Sequence, residues 1–416
     1  MKIFDWIIVG GGIAGISLSE ILTREGHSVA LIEKKNKLAS VTTREFHEWF
    51  HTGSLYTLLK DDMKTLKYVL GSLDDLLEFY SSFPKMNLKP TEQGLKITDD
   101  DKGWFNSNYI NFKYRLKNRK LILPWLYAIA RSIALIDGIR KHDWLRRRAG
   151  ILESVTAKYY LPIIKNLIKI LMDNGKFCHV ETTDFTTNSR NLLKDMIAAA
   201  EGNGLEIFTN NELLKIENSN DNVIANCSNG NFQAKNMAVC LGGEIEKFSD
   251  LKINKSYAPI AVVKNINADT KSFVELDCFK KNCINIITKG KSFGLIGGIS
   301  LPKRDEVKKY FDFVVEEHKK LNPDIKILEK YVSVKNEISQ KKENRNYLFH
   351  INLSKKYKNV WSVIPGKFTL AFSMAPGFYR IVYKKNPRKF FKSSSNNKDF
   401  SHLIENTVWE EIQRKE

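Results

Sequence analysis

The stretch DWIIVGGGIAGISLSEILTREGHSVALIEKK, residues 5–35, restricts the folds open to this chain more than any other. Trp6 to Val9 is a short apolar run suited to a central parallel strand. Gly10, Gly12 and Gly15 then spell G-x-G-x-x-G, with Ile13 and Ala14 opening a helix whose apolar positions fall on one face and which ends near Gly26. The run SVALI reads as a second strand ending at Glu33 and Lys34. Gly10 permits the tight turn, Gly12 lets the backbone approach a pyrophosphate, and Gly15 lets helix and strand pack closely. The helix N-terminus presents N–H groups to phosphate, and Glu33 is placed to accept from ribose hydroxyls. Strand, glycines, helix, strand and acid in this order predict dinucleotide binding. The acid favours FAD or NAD over NADP.

A second pattern competes at HEWFH, residues 47–51, which matches the zinc-protease signature H-E-x-x-H. That reading needs a helix and a third ligand. The segment instead follows the Ser/Thr-rich loop KLASVTT, and Thr52-Gly53 does not continue a helix. The glycine-rich opening and the continuation KLASVTTREFHEWFHTGSLY resemble the flavoprotein superfamily of D-amino-acid oxidase and glycerol-3-phosphate dehydrogenase. The resemblance implies that Ser40, Thr42 and Thr43 run along the FAD pyrophosphate and ribityl chain, and that His51, Gly53 and Tyr56 pass the flavin ring. Metal is then expected to play no part.

Further segments carry the same resemblance. HVETTDFTTNSRNLLKDMIAAAEGNGLEIFT reads as a strand, a helix and a strand returning to the dinucleotide unit, with the backbone near Leu213 meeting adenine. NMAVCLGG corresponds to a strand ending beside the dinucleotide at Gly242. NVWSVIPGKFTLAFSMAPGFYRIV resembles the terminal strand-G-G-K-x-T-T element. There Gly366 would turn the chain at a helix start, and Lys367, Phe368 and Thr369 would face the flavin or substrate. Pro365 replaces a family glycine, and Leu370-Ala371 depart from the family's threonine and tyrosine. The substrate-binding arginine of the glycerol-3-phosphate enzymes is also absent. YVSVKNEI offers Lys335 and Asn336 in its place, and Arg345 matches a second family arginine.

The fold expected is α/β: a Rossmann-like FAD/NAD(P)-binding domain of the glutathione-reductase-2 type with a mixed α+β substrate or cap domain. Residues 1–60, 175–255 and 355–383 are assigned to the first unit. Residues 61–174 and 256–354 go to the second, and 384–416 to a basic, partly flexible extension. The resemblance implies an oxidoreductase with non-covalent FAD that passes hydride from a C–H beside a hydroxyl to flavin N5. Amine oxidation by the same fold, or flavin binding without turnover, are the alternatives. His51, Lys367, Lys335 and Arg345 are the candidate catalytic residues.

The net charge of +19 invites a nucleic-acid or membrane reading, but the lysines are spread along the chain and no nucleic-acid motif accompanies them. Peripheral contact with a membrane therefore stays open, whereas a span through LILPWLYAIARSIALIDGI is disfavoured by Arg131 and Asp137. Five cysteines without C-x-x-C spacing fit a reducing cytoplasm. The partner expected is a small, anionic substrate, with oxygen, a quinone or a protein carrier as electron acceptor.

Overall fold

The computed structural model describes residues 2–51, 56, 64–91, 94–98, 103–106, 112–116, 120, 122–134, 178–182, 184–267, 272–275, 283–290, 292–338, 349–390 and 399–416. Gly53 and Arg345 lie outside them.

The apolar runs read as strands form the centre of one sheet. β1 (Ile3–Val9) leads through α1 (Ile13–Arg24) to β2 (Val29–Ile32), the parallel neighbour of β1. The chain continues through α2 (Thr42–Glu45), β3 (Trp49–Phe50), α3 (Lys64–Tyr80), the hairpin β4 (Leu88–Thr91) and β5 (Gly94–Ile97), β6 (Phe112–Leu116) and α4 (Ile122–Ala134). After β7 (Cys178–Thr182), β8 (Phe185–Thr186) and α5 (Ser189–Gly202), β9 (Leu205–Phe208) joins the first sheet beside β2. A meander of β10 (Leu213–Ser219), β11 (Asn222–Cys227) and β12 (Gly230–Val239) returns the chain to the other side of β1.

The second sheet takes β13 (Ile253–Lys264), β14 (Phe273–Glu275), β15 (Ile284–Lys289) and β16 (Phe293–Gly298), then α6 (Glu306–Leu321) and β17 (Lys326–Ile338). Its strand order is β17-β13-β16-β15-β14-β6-β7. The chain then closes the first sheet with β18 (His350–Leu353) and β19 (Val360–Ile364), β19 lying parallel to β12. α7 (Ala371–Tyr383) and α8 (Val408–Lys415) follow.

Two expected boundaries move. β7 pairs with β6 in the second sheet, so the return to the first unit falls at β8 and not at residue 175. Helix α3, expected in the second unit, buries Leu73, Leu76 and Phe79 in the core that α1, α5 and α7 build on the first sheet. Its apolar residues recur at helical spacing and fill that face, a distinction the periodicity of one helix cannot carry.

The C-terminal segment is also corrected. Residues expected to extend flexibly are packed: Phe390 stacks on Phe83 with ring centroids 3.9 Å apart, and Ile412 is buried beside Ile260, Val262 and Leu295. Thr407 and Glu410 cap α8 reciprocally, a signature present in the sequence as T-x-x-E. Among the described residues no helix is long and apolar enough to cross a membrane.

Candidate active site

The glycine turn joins β1 to α1. Gly10 sits at φ +105°, and a Cβ there would stand 2.6 Å from the Cys240 carbonyl oxygen. A Cβ on Gly15 would reach 1.9 Å from the Gly10 oxygen, so strand and helix approach more closely than any side chain allows. Gly12 differs: its nearest neighbour would be Thr43 Oγ1 at 3.4 Å, leaving the backbone face open where α1 begins without a side-chain cap. This is a cradle for an anionic group approaching the first turn of the helix.

The groups around it are polar and oriented. Glu33 accepts from the Gly11 N–H at 2.7 Å through one carboxylate oxygen and from the Lys35 N–H at 2.9 Å through the other. Thr43 Oγ1 accepts from the Ile13 N–H at 3.2 Å, which places α2 beside the helix start. Ser40 donates to the Lys37 carbonyl, and Lys34 pairs with Glu244 across the sheet end. Gly242, at φ +52°, opens the short 3-10 turn carrying that glutamate, and Leu213 is buried at the start of β10. An extended phosphate-bearing molecule with a ribose fits this donor and acceptor set.

HEWFH is not helical. His47 and Glu48 lie in a loop, and Trp49 and Phe50 form β3, paired with β8. Glu48, at φ +57°, is buried and fully engaged. It accepts from the Ser189 N–H at 2.9 Å and the Ser189 hydroxyl, from the Trp409 indole N–H at 3.0 Å, and from the Lys289 ammonium. It therefore ties the first unit, the second sheet and the C-terminal helix together. Burial works to raise its pKa, but Lys289 and the hydrogen bonds outweigh that and hold it below the usual glutamate range. Among the described residues no group of three or more His, Cys, Asp or Glu could hold a metal ion.

Beyond β3, His51 meets the other candidates. Its backbone N–H donates to Thr369 Oγ1 at 2.9 Å, joining it to the turn that follows β19. Its ring packs on Trp49 with centroids 4.1 Å apart and on Tyr56 at 5.3 Å. Lys367 Nζ stands 4.8 Å from the Tyr56 ring centre. Lys367 is not at the helix start as expected: α7 begins at Ala371, and Lys367 belongs to the turn after Gly366, which has φ +69°. Phe368 packs edge-on against Phe372 at the back of that turn. Lys335, on β17, lies in the same field but pairs with Glu337 at 2.6 Å.

Asp184 escaped the sequence reading. It accepts from the Trp49 indole N–H at 3.0 Å, and its Oδ2 lies 3.7 Å from His51 Nδ1. Only the pairing of Phe50 with Phe185 brings it there, across 133 positions of chain (184 minus 51). Burial lowers the His51 pKa to about 4; Asp184 opposes that shift, while the ammonium groups of Lys367 and Lys335 add to it. His51 is thus a neutral imidazole at pH 7.

The partly and fully buried imidazoles give a stability prediction. Burial holds His47 at about 3 and His318 at about 4, as well as His51 at about 4. The unfolded chain takes up these protons from about pH 6.5 downward. Stability conferred by the neutral rings is thus complete above that pH and is lost as pH falls toward 4 and 3. Each ring should cost about 1.4 kcal/mol per pH unit once the unfolded form is protonated. Glu20, held above the usual glutamate range by burial, takes up its proton first in the folded chain and so opposes the loss between that raised value and the ordinary one. Urea denaturation midpoints from pH 7.5 to 4.5 should decline steadily; a flat profile would mean that the rings are solvated.

Known proteins share this fold. A family model described as "DAO: FAD dependent oxidoreductase" matches residues 5–277. Among solved structures, the glycine oxidase from Geobacillus kaustophilus aligns over 97% of this chain and 98% of its own, with 12% identity and a TM-score of 0.62. The L-amino acid deaminase from Proteus myxofaciens, in complex with anthranilate, aligns over 93% and 91% with 12% identity and a TM-score of 0.63. The dithionite-reduced L-alpha-glycerophosphate oxidase from Mycoplasma pneumoniae, with FAD bound, aligns over 98% and 100% with 16% identity and a TM-score of 0.61. At such identities these likenesses show the fold. A UDP-galactopyranose mutase from Mycoplasma pneumoniae (strain ATCC 29342 / M129 / Subtype 1) is 43% identical over 61 residues, which is 12% of this chain and 15% of that protein's length. With the family model covering more than half of its length, the chain belongs to the FAD dependent oxidoreductases of the DAO family.

Proposed function

We propose that this protein oxidises a C–H beside a hydroxyl on a small anionic substrate. The observation that carries the reading is His51: a partly buried, neutral imidazole whose backbone N–H is held by the Thr369 hydroxyl, with Asp184 3.7 Å from its Nδ1 and the ammonium groups of Lys367 and Lys335 in its field. Gly10, Gly12, Ile13, Ala14, Gly15, Glu33, Lys34, Ser40, Thr42 and Thr43 would hold the pyrophosphate and ribose end of FAD. Leu213 and Gly242 would border its adenosine half, and the chain from His51 to Gly53 with Gly366 to Thr369 the other. Bound FAD supplies a two-electron acceptor.

The side chains then divide the work. An alcohol loses a hydroxyl proton as its C–H bond breaks, and a neutral imidazole can accept that proton. With a ring pKa near 4, His51 alone is a weak base. A substrate anion lying against Lys367 would offset the positive field and raise the basicity of the ring when the substrate binds. The site thereby favours anions twice, once by attraction and once by activation. Lys367 exerts the larger of the two positive fields on His51 and so carries most of this effect, and Arg345 is a further candidate.

Amine oxidation is the second reading. The glycine oxidase and L-amino acid deaminase folds support it, and the glycerophosphate oxidase fold supports the first. A neutral amine already carries its lone pair and needs no base, so the oriented His51 favours the hydroxy acid or phosphate. The deciding measurement is anaerobic bleaching of the flavin by hydroxy and amino anions of matched size. Bleaching by amino acids alone would transfer the assignment. Acid precipitation of the same sample should release all its flavin as FAD, and flavin retained in the pellet would reject non-covalent binding.

A further inference from the structure

The loop from Lys35 to Phe46 carries Ser40, Thr42 and Thr43, and it is held from two sides. On the inner side, the Ala39 N–H donates to the Gly11 carbonyl at 2.8 Å, and Leu38 Cδ2 would lie 2.4 Å from a Cβ on Gly11. On the outer side stands the C-terminal tail. The Leu38 N–H donates to the Leu403 carbonyl at 2.8 Å, and the Glu405 N–H donates to the Leu38 carbonyl at 3.0 Å. Leu38 and Ile404 thus form an isolated parallel bridge, with both residues buried. The Arg190 guanidinium donates to the Glu405 carbonyl and also to the Thr43 carbonyl at 3.2 Å. Arg44 pairs with Glu411 at 2.6 Å, and Lys37 with Glu405 at 3.5 Å.

Two hydrogen bonds therefore tie the tail to Leu38, and a third ties the next residue, Ala39, to the glycine turn itself. Ala39 is held at φ +58°, a left-handed conformation that an alanine side chain disfavours. Such a residue keeps its conformation only where its surroundings over-determine it. Here those surroundings are the glycine turn on one side and the tail on the other.

We propose that the tail, residues 399–416, is a positioning element of the cofactor site: it clamps Leu38-Ala39 against the glycine turn and preorganises the Ser40–Thr43 segment for FAD. The inference rests on the assignment of that segment to FAD. Ordering the loop before binding removes a conformational cost that FAD would otherwise bear. By linkage, FAD must steady the tail by the same factor as the tail tightens FAD.

The test uses FAD titration of the apoprotein by fluorescence anisotropy, with hydrogen exchange at Leu38 and Glu405. A chain lacking residues 399–416 should bind FAD about 10- to 100-fold more weakly, and adding the 399–416 peptide should recover part of the loss. Glu405→Pro removes one donor in the clamp and the carboxylate that pairs with Lys37 while sparing α8, and should weaken FAD about tenfold with the apoprotein melting temperature nearly unchanged. Adding FAD to the full chain should slow exchange at both amides by the factor lost on truncation. Unchanged FAD affinity in Glu405→Pro, or amide exchange indifferent to FAD, overturns the proposal. Weak binding by the full chain itself would instead overturn the assignment of the loop to FAD.

Discussion

Replacing Glu48 with alanine is expected to destabilise the fold by about 3–5 kcal/mol, the scale of stranding one member of a buried ion pair. Both Glu48 and Lys289 are nearly excluded from solvent, with side chains 3% and 5% exposed, so screening cannot relieve the orphaned ammonium. The Ser189 and Trp409 donors lose their acceptor at the same time. Lys289 also lies 5.3 Å from the centre of the Trp409 ring, so the C-terminal helix meets both members of the pair. Glu48→Gln keeps an acceptor of similar shape and should cost less, while Glu48→Gln combined with Lys289→Met should recover stability relative to Glu48→Ala. Urea denaturation gives the comparison. A loss under about 1 kcal/mol for Glu48→Ala would mean that water reaches the site and that the three parts of the molecule are joined elsewhere.

The same residue shows how far the sequence could be read. Gly10, Gly12 and Gly15 disclosed their roles because each answers to a local requirement: a positive φ, an open backbone face, a close helix contact. Their neighbours in sequence are their neighbours in space. HEWFH was misleading for the opposite reason. Its spacing is helical only if the backbone is, and here the pairing of β3 with β8 makes it extended. Glu48 then meets Lys289, Ser189 and Trp409, three groups between 141 and 361 positions away, which no periodicity can announce. Asp184 was hidden likewise. The tail read as flexible because KSSSNNK is polar, yet Phe390, Phe400, Ile404 and Ile412 beyond and before it find buried places on two different units. Sparse apolar residues reveal burial only when the surface that receives them is known.

Lys367→Met should keep FAD bound while slowing anaerobic reduction of the flavin by substrate about 100-fold, the scale of losing one preorganised electrostatic donor. The charge of Lys367 would attract the substrate anion and also oppose a proton on His51. These two roles separate in a pH profile. Removing the ammonium should raise the His51 pKa from about 4, because burial and Lys335 then act without it. The acidic limb of the rate profile should therefore move to higher pH even as the maximum rate falls. A lysine that merely fills the turn after Gly366 would change neither, since its Nζ rests against the Tyr56 ring and methionine can occupy the same place with favourable contact. A fall in substrate affinity alone, with the limiting rate and the acidic limb unmoved, would confine Lys367 to anion binding. A full rate with no shift of the limb would remove it from the site's chemistry, and His51 would have to be activated by Asp184 alone.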